Sequence, residues 1–333
     1  MSVTIKDVAK EAGVSVATVS RVLNGSCSVS EDTAQRVNDA VKKLRYSPNF
    51  LGRNLRKRET NVILVIMPTS EHSLYSKIIM GMQKYAETVG YDIISAVTRS
   101  ASTVEARQMT MLFNRTVDGV VLLGTQYDAK QLNELAENYD IALCCEGVEG
   151  ANVLTVAVDD EQAAYDAADA LIKKGHKRIG FIGIKSDTAI SAIARENGFK
   201  RALDEHGIKI DDTLFYREDY EYDSGAKAMD YFASLKDRPT AIFAISDLLA
   251  ISVINKARDM GIKAGEDIAV MGFDNITMCE MMIPKVSTVE QPCEKMGELV
   301  IAKLIENIHT DNKDNRYYTV KHRVILREST GDK

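Results

Sequence analysis

The chain has 333 residues, 45% of them hydrophobic and 27% charged, with a formal net charge of −6. That length suggests two or three domains, and no apolar run approaches the ~18 residues of a membrane span. The opening residues, MSVTIKDVAK, hold no apolar stretch behind a basic start, which argues against a secretory signal and for a cytoplasmic protein. Five cysteines with no C-x-x-C pair, and five scattered histidines, argue against a disulfide framework or a zinc site. No metal and no cofactor are expected. The charge is unevenly spread: residues 1–60 carry +5 and the remainder −11, the pattern of a basic binding module on an acidic body.

In chain order, the first elements predicted are three short helices. Thr4 caps the first, with Asp7 at its third position. Gly13 supplies a turn that needs a positive φ. Ser15 caps a second helix, Val16–Asn24, and Ser30 a third, with Val37, Val41 and Leu44 on one face. Pro48 marks a boundary. From Asn61 onward β-rich runs alternate with helical patterns. The runs are Val62–Met67, Tyr91–Val97, Gly119–Leu123, Ile141–Cys144, Val153–Val158, Lys177–Ile184, Thr240–Ala244 and Ile268–Met271. Helical patterns such as Leu74–Val89, Glu161–Lys174 and Ser246–Met260 lie between them. This βα alternation implies parallel sheets covered by helices, and two doubly wound α/β lobes in tandem accommodate its length.

Thr4–Gly25 (TIKDVAKEAGVSVATVSRVLNG) reads as a helix-turn-helix. Val8, Ala9 and Ala12 face inward, and Val19 and Val22 hold the second helix from behind. Its outward face carries Val16, Ala17, Thr18, Ser20 and Arg21, short, hydroxylated or cationic groups that suit a major groove. With YSPNFLGRNLR (Tyr46–Arg56), this stretch resembles the LacI–GalR (lac repressor/galactose repressor) family, and the resemblance runs along essentially the whole chain. It implies a headpiece at 1–47, a hinge helix at 48–60, and a periplasmic-binding-protein-like core. The core would have a first lobe at 61–160, completed by about 291–320. Its second lobe would be 161–290, completed by about 321–333. It further implies that Val16 and Ala17 occupy base-reading positions and that Arg21 reaches a base edge. Thr4, Ser15, Thr18, Ser20, Asn24, Ser30, Tyr46 and Asn49 then hold phosphates or pack the headpiece. The side chains of Val16 and Ala17 offer only apolar contact, for instance to a thymine methyl, which leaves most direct readout to Arg21. The basic segment Asn49–Arg58 contains Gly52, which disfavours a helix on its own. The resemblance makes Leu55 the residue that wedges into the minor groove.

Two facing parallel-sheet lobes place their strand ends on one cleft, where ligands bind. Polar residues just after strands are therefore candidates: Ser70, Tyr75, Thr125, Arg195, Tyr220, Ser246, Asp247, Asp274 and Gln291. Arginine and aspartate suit vicinal hydroxyls, and tyrosine suits stacking on a pyranose face. The family resemblance assigns effector contact to Arg195, Tyr220 and Asp274.

Gly180–Gly183 lacks the spacing of a phosphate loop, and no nucleophile stands with a base. Asp159 and Asp160 read as the cap of the helix that follows. An enzyme is not expected, and a transporter's solute-binding protein has no use for a basic headpiece. The expectation is a homodimeric transcriptional repressor of pseudo-palindromic operator DNA, set by a sugar or sugar-phosphate effector, with no membrane partner. An alternative is a catabolite-control type regulator that docks a phosphorylated carrier protein. That branch carries a tyrosine and an arginine where this chain has Glu294 and Ala302.

Overall fold

The computed structural model describes residues 3–23, 29–46, 59–70, 72–185 and 189–332. The chain separates into two units, Met1–Thr60 and Asn61–Lys333.

The first unit holds α1 (Ile5–Ala12), α2 (Val16–Leu23) and α3 (Glu31–Leu44). The Asp7 carboxylate accepts from the Thr4 backbone N–H at 2.8 Å and from its hydroxyl at 2.7 Å, which fixes the start of α1. Gly13 ends α1 at φ 66°, the left-handed conformation predicted for it. The Ser15 hydroxyl accepts from the Thr18 N–H at 3.1 Å at the start of α2. Val8, Ala9, Ala12, Val19, Val37 and Ala40 make the core, with Val22, Val41 and Leu44 packed around it. Ser30 stands before α3 in extended geometry, but its hydroxyl donates to Thr33 instead of capping the backbone.

The second unit contains two parallel sheets. The first has six strands in the order β2–β1–β3–β4–β5–β11. These are Asp92–Val97, Val62–Met67, Gly119–Leu122, Ile141–Cys144, Leu154–Ala157 and Tyr317–Thr319. Every neighbouring pair in it is parallel. The second sheet has four parallel strands in the order β7–β6–β8–β9: Phe215–Glu218, Ile179–Ile184, Ala241–Ala244 and Ala269–Met271. A short antiparallel pair, β10 (Thr288–Glu290) with β12 (Arg323–Ile325), lies where the chain passes between the lobes. The chain passes between the lobes three times, at residues 158–159, 291–292 and 320–322.

The buried strands are near-continuous apolar runs, as parallel strands covered on both faces require. Helices α4 (Ser73–Val89), α5 (Ser102–Phe113), α6 (Ala129–Asn138) and α12 (Cys293–Ile308) cover the first sheet. Helices α7 (Asp160–Lys173), α8 (Ile190–Glu205), α9 (Tyr222–Ser234) and α10 (Asp247–Asp259) cover the second, and α11 (Met278–Met281) follows β9. Helices α4 and α12 cross in very close contact. A Cβ on Gly81 would stand 2.1 Å from the Glu294 carbonyl oxygen, and one on Gly297 would stand 2.1 Å from that of Ile78. The eight predicted strands are all present within a few residues. The three-residue strands β10, β11 and β12 and the four-residue β7 were not predicted.

Both sheets reverse winding direction beside their first strand, between β1 and β3 and between β6 and β8. Such switch points open a crevice at the strand carboxyl ends. Pro68, Leu123, Ile184 and Ile245 stand at those four strand ends, and all of them line the cleft described next.

Candidate functional site

Helix α2 presents an outward row built from small side chains. Val16, Ala17 and Arg21 are exposed, Thr18 and Ser20 are half-buried, and Val19 is fully buried behind them. Small residues at the start of a helix let its backbone approach a partner surface closely, and Arg21 projects one turn further on. Among the described residues Arg21 has no ion-pair partner, so its five donors are available for an acceptor outside the chain. Thr4, Ser15 and Ser30 are exposed at helix starts and Tyr46 is half-buried after α3. Asn24, Asn49 and Leu55, with most of the expected hinge, lie outside the described residues.

In the second unit a cavity of about 1070 Å³ lies between the lobes. Of the nine residues predicted to meet a ligand there, Ser70, Tyr75, Arg195, Tyr220, Asp274 and Gln291 line it. Arg195 is 8% exposed. Its Nε donates to Asp160 Oδ1 at 2.8 Å and its Nη1 to the Ile245 carbonyl at 2.7 Å. Its guanidinium lies 3.7 Å from the centre of the Phe273 ring, with Nη1 3.8 Å from Asp274 Oδ1. Gln291 Nε2 donates to Asp274 Oδ1 at 2.7 Å. Asp274 has φ 115° and Asn275 φ 55°, a strained turn of the kind that persists where surrounding structure over-determines it, as at ligand clamps. The Asp274 N–H donates to the Val289 carbonyl, which holds that turn against β10.

The other three predicted residues do not line the cavity, and their side chains are bonded elsewhere. The Thr125 hydroxyl donates to Glu105 Oε1 at 2.5 Å and accepts from the Tyr127 N–H, fastening the loop after β3 to α5. Ser246 is fully buried and caps α10, accepting from the Leu249 N–H. Asp247 is also fully buried. It accepts from the Ile276 N–H at 2.8 Å and the Thr288 hydroxyl at 2.5 Å, so it ties the β9 exit to β10 beneath the cleft. All three follow strands, as predicted, but a position after a strand does not decide which way its side chain turns.

The cleft also holds residues that the sequence did not single out. His72, Glu146 and Ser191 line it. Asp160, predicted to cap a helix beside Asp159, is instead the buried partner of Arg195, while Asp159 does accept from the Gln162 N–H. His72 had a usable signal, since it lies in PTSEHSLYS, the same post-strand segment as Ser70.

Burial dominates the electrostatics. It pushes Asp160 up to about 6 against the pull of Arg195. Burial and the nearby Asp274 push Asp247 up to about 7. Asp274 is raised by burial, with Arg195 and His72 working against it. Burial opposes the Arg195 charge, but Asp160 and Asp274 outweigh it and keep the guanidinium charged. The Tyr75 and Tyr220 phenols are pushed up by burial and stay neutral. The result is one fixed cation between two carboxylates, flanked by neutral hydroxyls. That set can grip a neutral, hydroxyl-rich molecule from several directions. Among the described residues no group of three side chains could hold a metal, and no helix is long and apolar enough to cross a membrane.

A helix-turn-helix unit with an open arginine, and a two-lobed core with a polar cleft at its switch points, define a DNA-binding transcriptional regulator. Residues 4–49 match the family described as "Bacterial regulatory proteins, lacI family", and residues 168–330 match the "Periplasmic binding protein-like domain". The chain is 32% identical over 331 residues to Catabolite control protein A of Priestia megaterium, covering 99% of this chain and 100% of that one. It is 30% identical to a solved structure described as "transcriptional regulator CelR-cellobiose complex", with a TM-score of 0.74 over 98% of this chain and 99% of that one. A lac repressor dimer bound to operator and the anti-inducer ONPF shares the fold, with a TM-score of 0.87 at 22% identity over 99% of each chain. This chain belongs to the lacI family of bacterial regulatory proteins. It is a regulator and not an enzyme.

Proposed function

We propose that the protein is a homodimeric repressor of a pseudo-palindromic operator whose affinity is set by a carbohydrate effector in the interlobe cleft. The observation that carries this is the buried Arg195–Asp160–Asp274 cluster, with Gln291 and two tyrosines beside it, in a cavity at the top of the small-molecule range. The size suits a ligand larger than one sugar ring, and the relative in complex with cellobiose supports a carbohydrate. Residues 1–47 act as the headpiece and 48–60 as the hinge. Residues 61–160 with about 291–320 form one lobe, and 161–290 with about 321–333 the other. On DNA, Arg21 supplies direct readout with apolar help from Val16 and Ala17. Thr4, Ser15, Thr18, Ser20, Asn24, Ser30, Tyr46 and Asn49 position the headpiece, and Leu55 wedges the operator centre. Dimerisation follows because one headpiece makes too few contacts for specific affinity, and a two-fold pair matches a two-fold site.

Thermal unfolding of the full chain against mono- and disaccharides, their phosphate esters and purines tests the effector class, since a bound ligand raises apparent stability by mass action. A carbohydrate is expected to raise the melting temperature in wild type and not in Asp274→Ala. A response to purines alone overturns the carbohydrate assignment. The similarity to Catabolite control protein A raises a second arrangement, with a phosphorylated carrier protein as co-regulator. The exposed Glu294 on α12 opposes it, because a carboxylate repels a phosphate. Capture of serine-phosphorylated carrier by the full chain would reverse that judgement.

A further inference from the structure

His72 occupies the N-cap of α4, with its Nδ1 accepting from the Leu74 N–H at 3.3 Å. A ring nitrogen that accepts carries no proton, so the neutral imidazole holds its hydrogen on Nε2. That nitrogen stands 2.7 Å from Tyr220 Oη and 3.5 Å from Asp274 Oδ2, both on the opposite lobe. The two rings stack with an interplanar angle of 28° and centroids 5.6 Å apart. Ser246, the cap of α10, is near enough to Tyr220 to act on its phenol. Three further bonds cross the gap between the lobes. Glu146, just beyond β4, accepts from the Ser191 N–H at 3.0 Å and its hydroxyl at 2.5 Å, at the N-terminal end of α8. Lys77 on α4 donates to the Asn275 carbonyl at 2.8 Å.

We infer that His72 is an interlobe latch, a positioning residue that holds the two lobes together through Tyr220 and Asp274. On the effector assignment made above, Tyr220 and Asp274 are also groups that meet the ligand. An effector hydroxyl that takes either one then exchanges with the His72 Nε2–H, so ligand binding and lobe angle are coupled through one side chain. The Glu146 and Lys77 bonds support the same approach of the lobes.

The cap and the latch can be separated by substitution. Asparagine is among the best N-cap residues but is too short to reach Tyr220, so His72→Asn keeps the helix start and removes the crossing bond. Distance labels on Lys130→Cys in the first lobe and Lys209→Cys in the second report the lobe separation in the full-length protein without ligand. The expected result is a shift to longer distances in His72→Asn, with a melting temperature close to that of wild type. Tyr220→Phe removes the same bond from the other side and is expected to give the same shift. Unchanged distances in His72→Asn, or a shift in His72→Asn without one in Tyr220→Phe, would overturn the latch. The measurement needs no ligand, so its failure is distinct from failure of the carbohydrate assignment, which would appear as a missing thermal response.

Discussion

Replacing Arg195 with methionine keeps much of the side-chain volume against Phe273 and removes the guanidinium charge that faces Asp160 and Asp274. The two carboxylates have side chains 8% and 2% exposed, so water cannot replace the lost partner. Leaving a buried charge without its partner costs about 3–5 kcal/mol, and the lost contact with the Phe273 face adds about 0.5–2 kcal/mol. The sign of the pH dependence follows from Asp160. Its folded-state value of about 6 lies above that of an unfolded aspartate. Its favourable contribution is therefore full below the unfolded value and is lost as pH rises through about 6. Without Arg195 the folded value rises further, so the penalty should be small near pH ~5 and fully developed near pH ~8. The chain has no tryptophan, so urea unfolding is best followed by far-ultraviolet circular dichroism. Adding Asp160→Asn to Arg195→Met should recover much of the loss near pH ~8, with a coupling above about 1 kcal/mol. A loss that is equal at the two pH values, or no recovery in the double variant, would refute the buried-pair assignment.

Arg21→Ala should weaken operator binding by about 1–3 kcal/mol and relax specificity at one base step per half-site; an equal loss on random DNA removes Arg21 from direct readout. Asp247→Asn should gain stability relative to wild type as pH rises from about 4 through about 7, because the folded carboxyl is raised to about 7 and must ionise while buried. A stability difference that stays flat across that window contradicts this. Gly81→Ala should force α4 and α12 apart, since the new Cβ would meet the Glu294 carbonyl at 2.1 Å, and should cost about 1–3 kcal/mol in thermal unfolding. Thr125→Val should lower stability by about 1 kcal/mol and leave ligand-induced thermal shifts unchanged, as its hydroxyl serves Glu105 and not the cleft.

The regular elements were legible because their signals are local. Gly13 announces a left-handed turn, Ser15 a cap, and Val62–Met67 a buried parallel strand, and each is as predicted. Strands β7, β10, β11 and β12 span three or four residues, too few to show a period, and their pairing partners lie far away in sequence. The cleft was half legible. The ends of β1 and β6 and the β9 turn pointed to Ser70, Arg195 and Asp274. They could not separate Asp274, which faces the cavity, from Asp247, which turns beneath it. Asp160 was hidden by its neighbour Asp159, whose capping role accounted for both carboxylates until Arg195 appeared 2.8 Å away. The segment after β1 could have pointed to His72 as a cleft residue, but the bonds that His72 and Glu146 make across the gap depend on how two separate sheets meet, which local spacing does not show.

The measurement that bears most directly on the whole scheme is operator affinity with and without the ligand that raises the melting temperature, read by fluorescence anisotropy at fixed salt. Coupling between cleft and headpiece should change the affinity by about 5–150-fold, and Asp274→Ala should abolish the change. A ligand that stabilises the core yet leaves operator affinity untouched would contradict an effector role for the cleft.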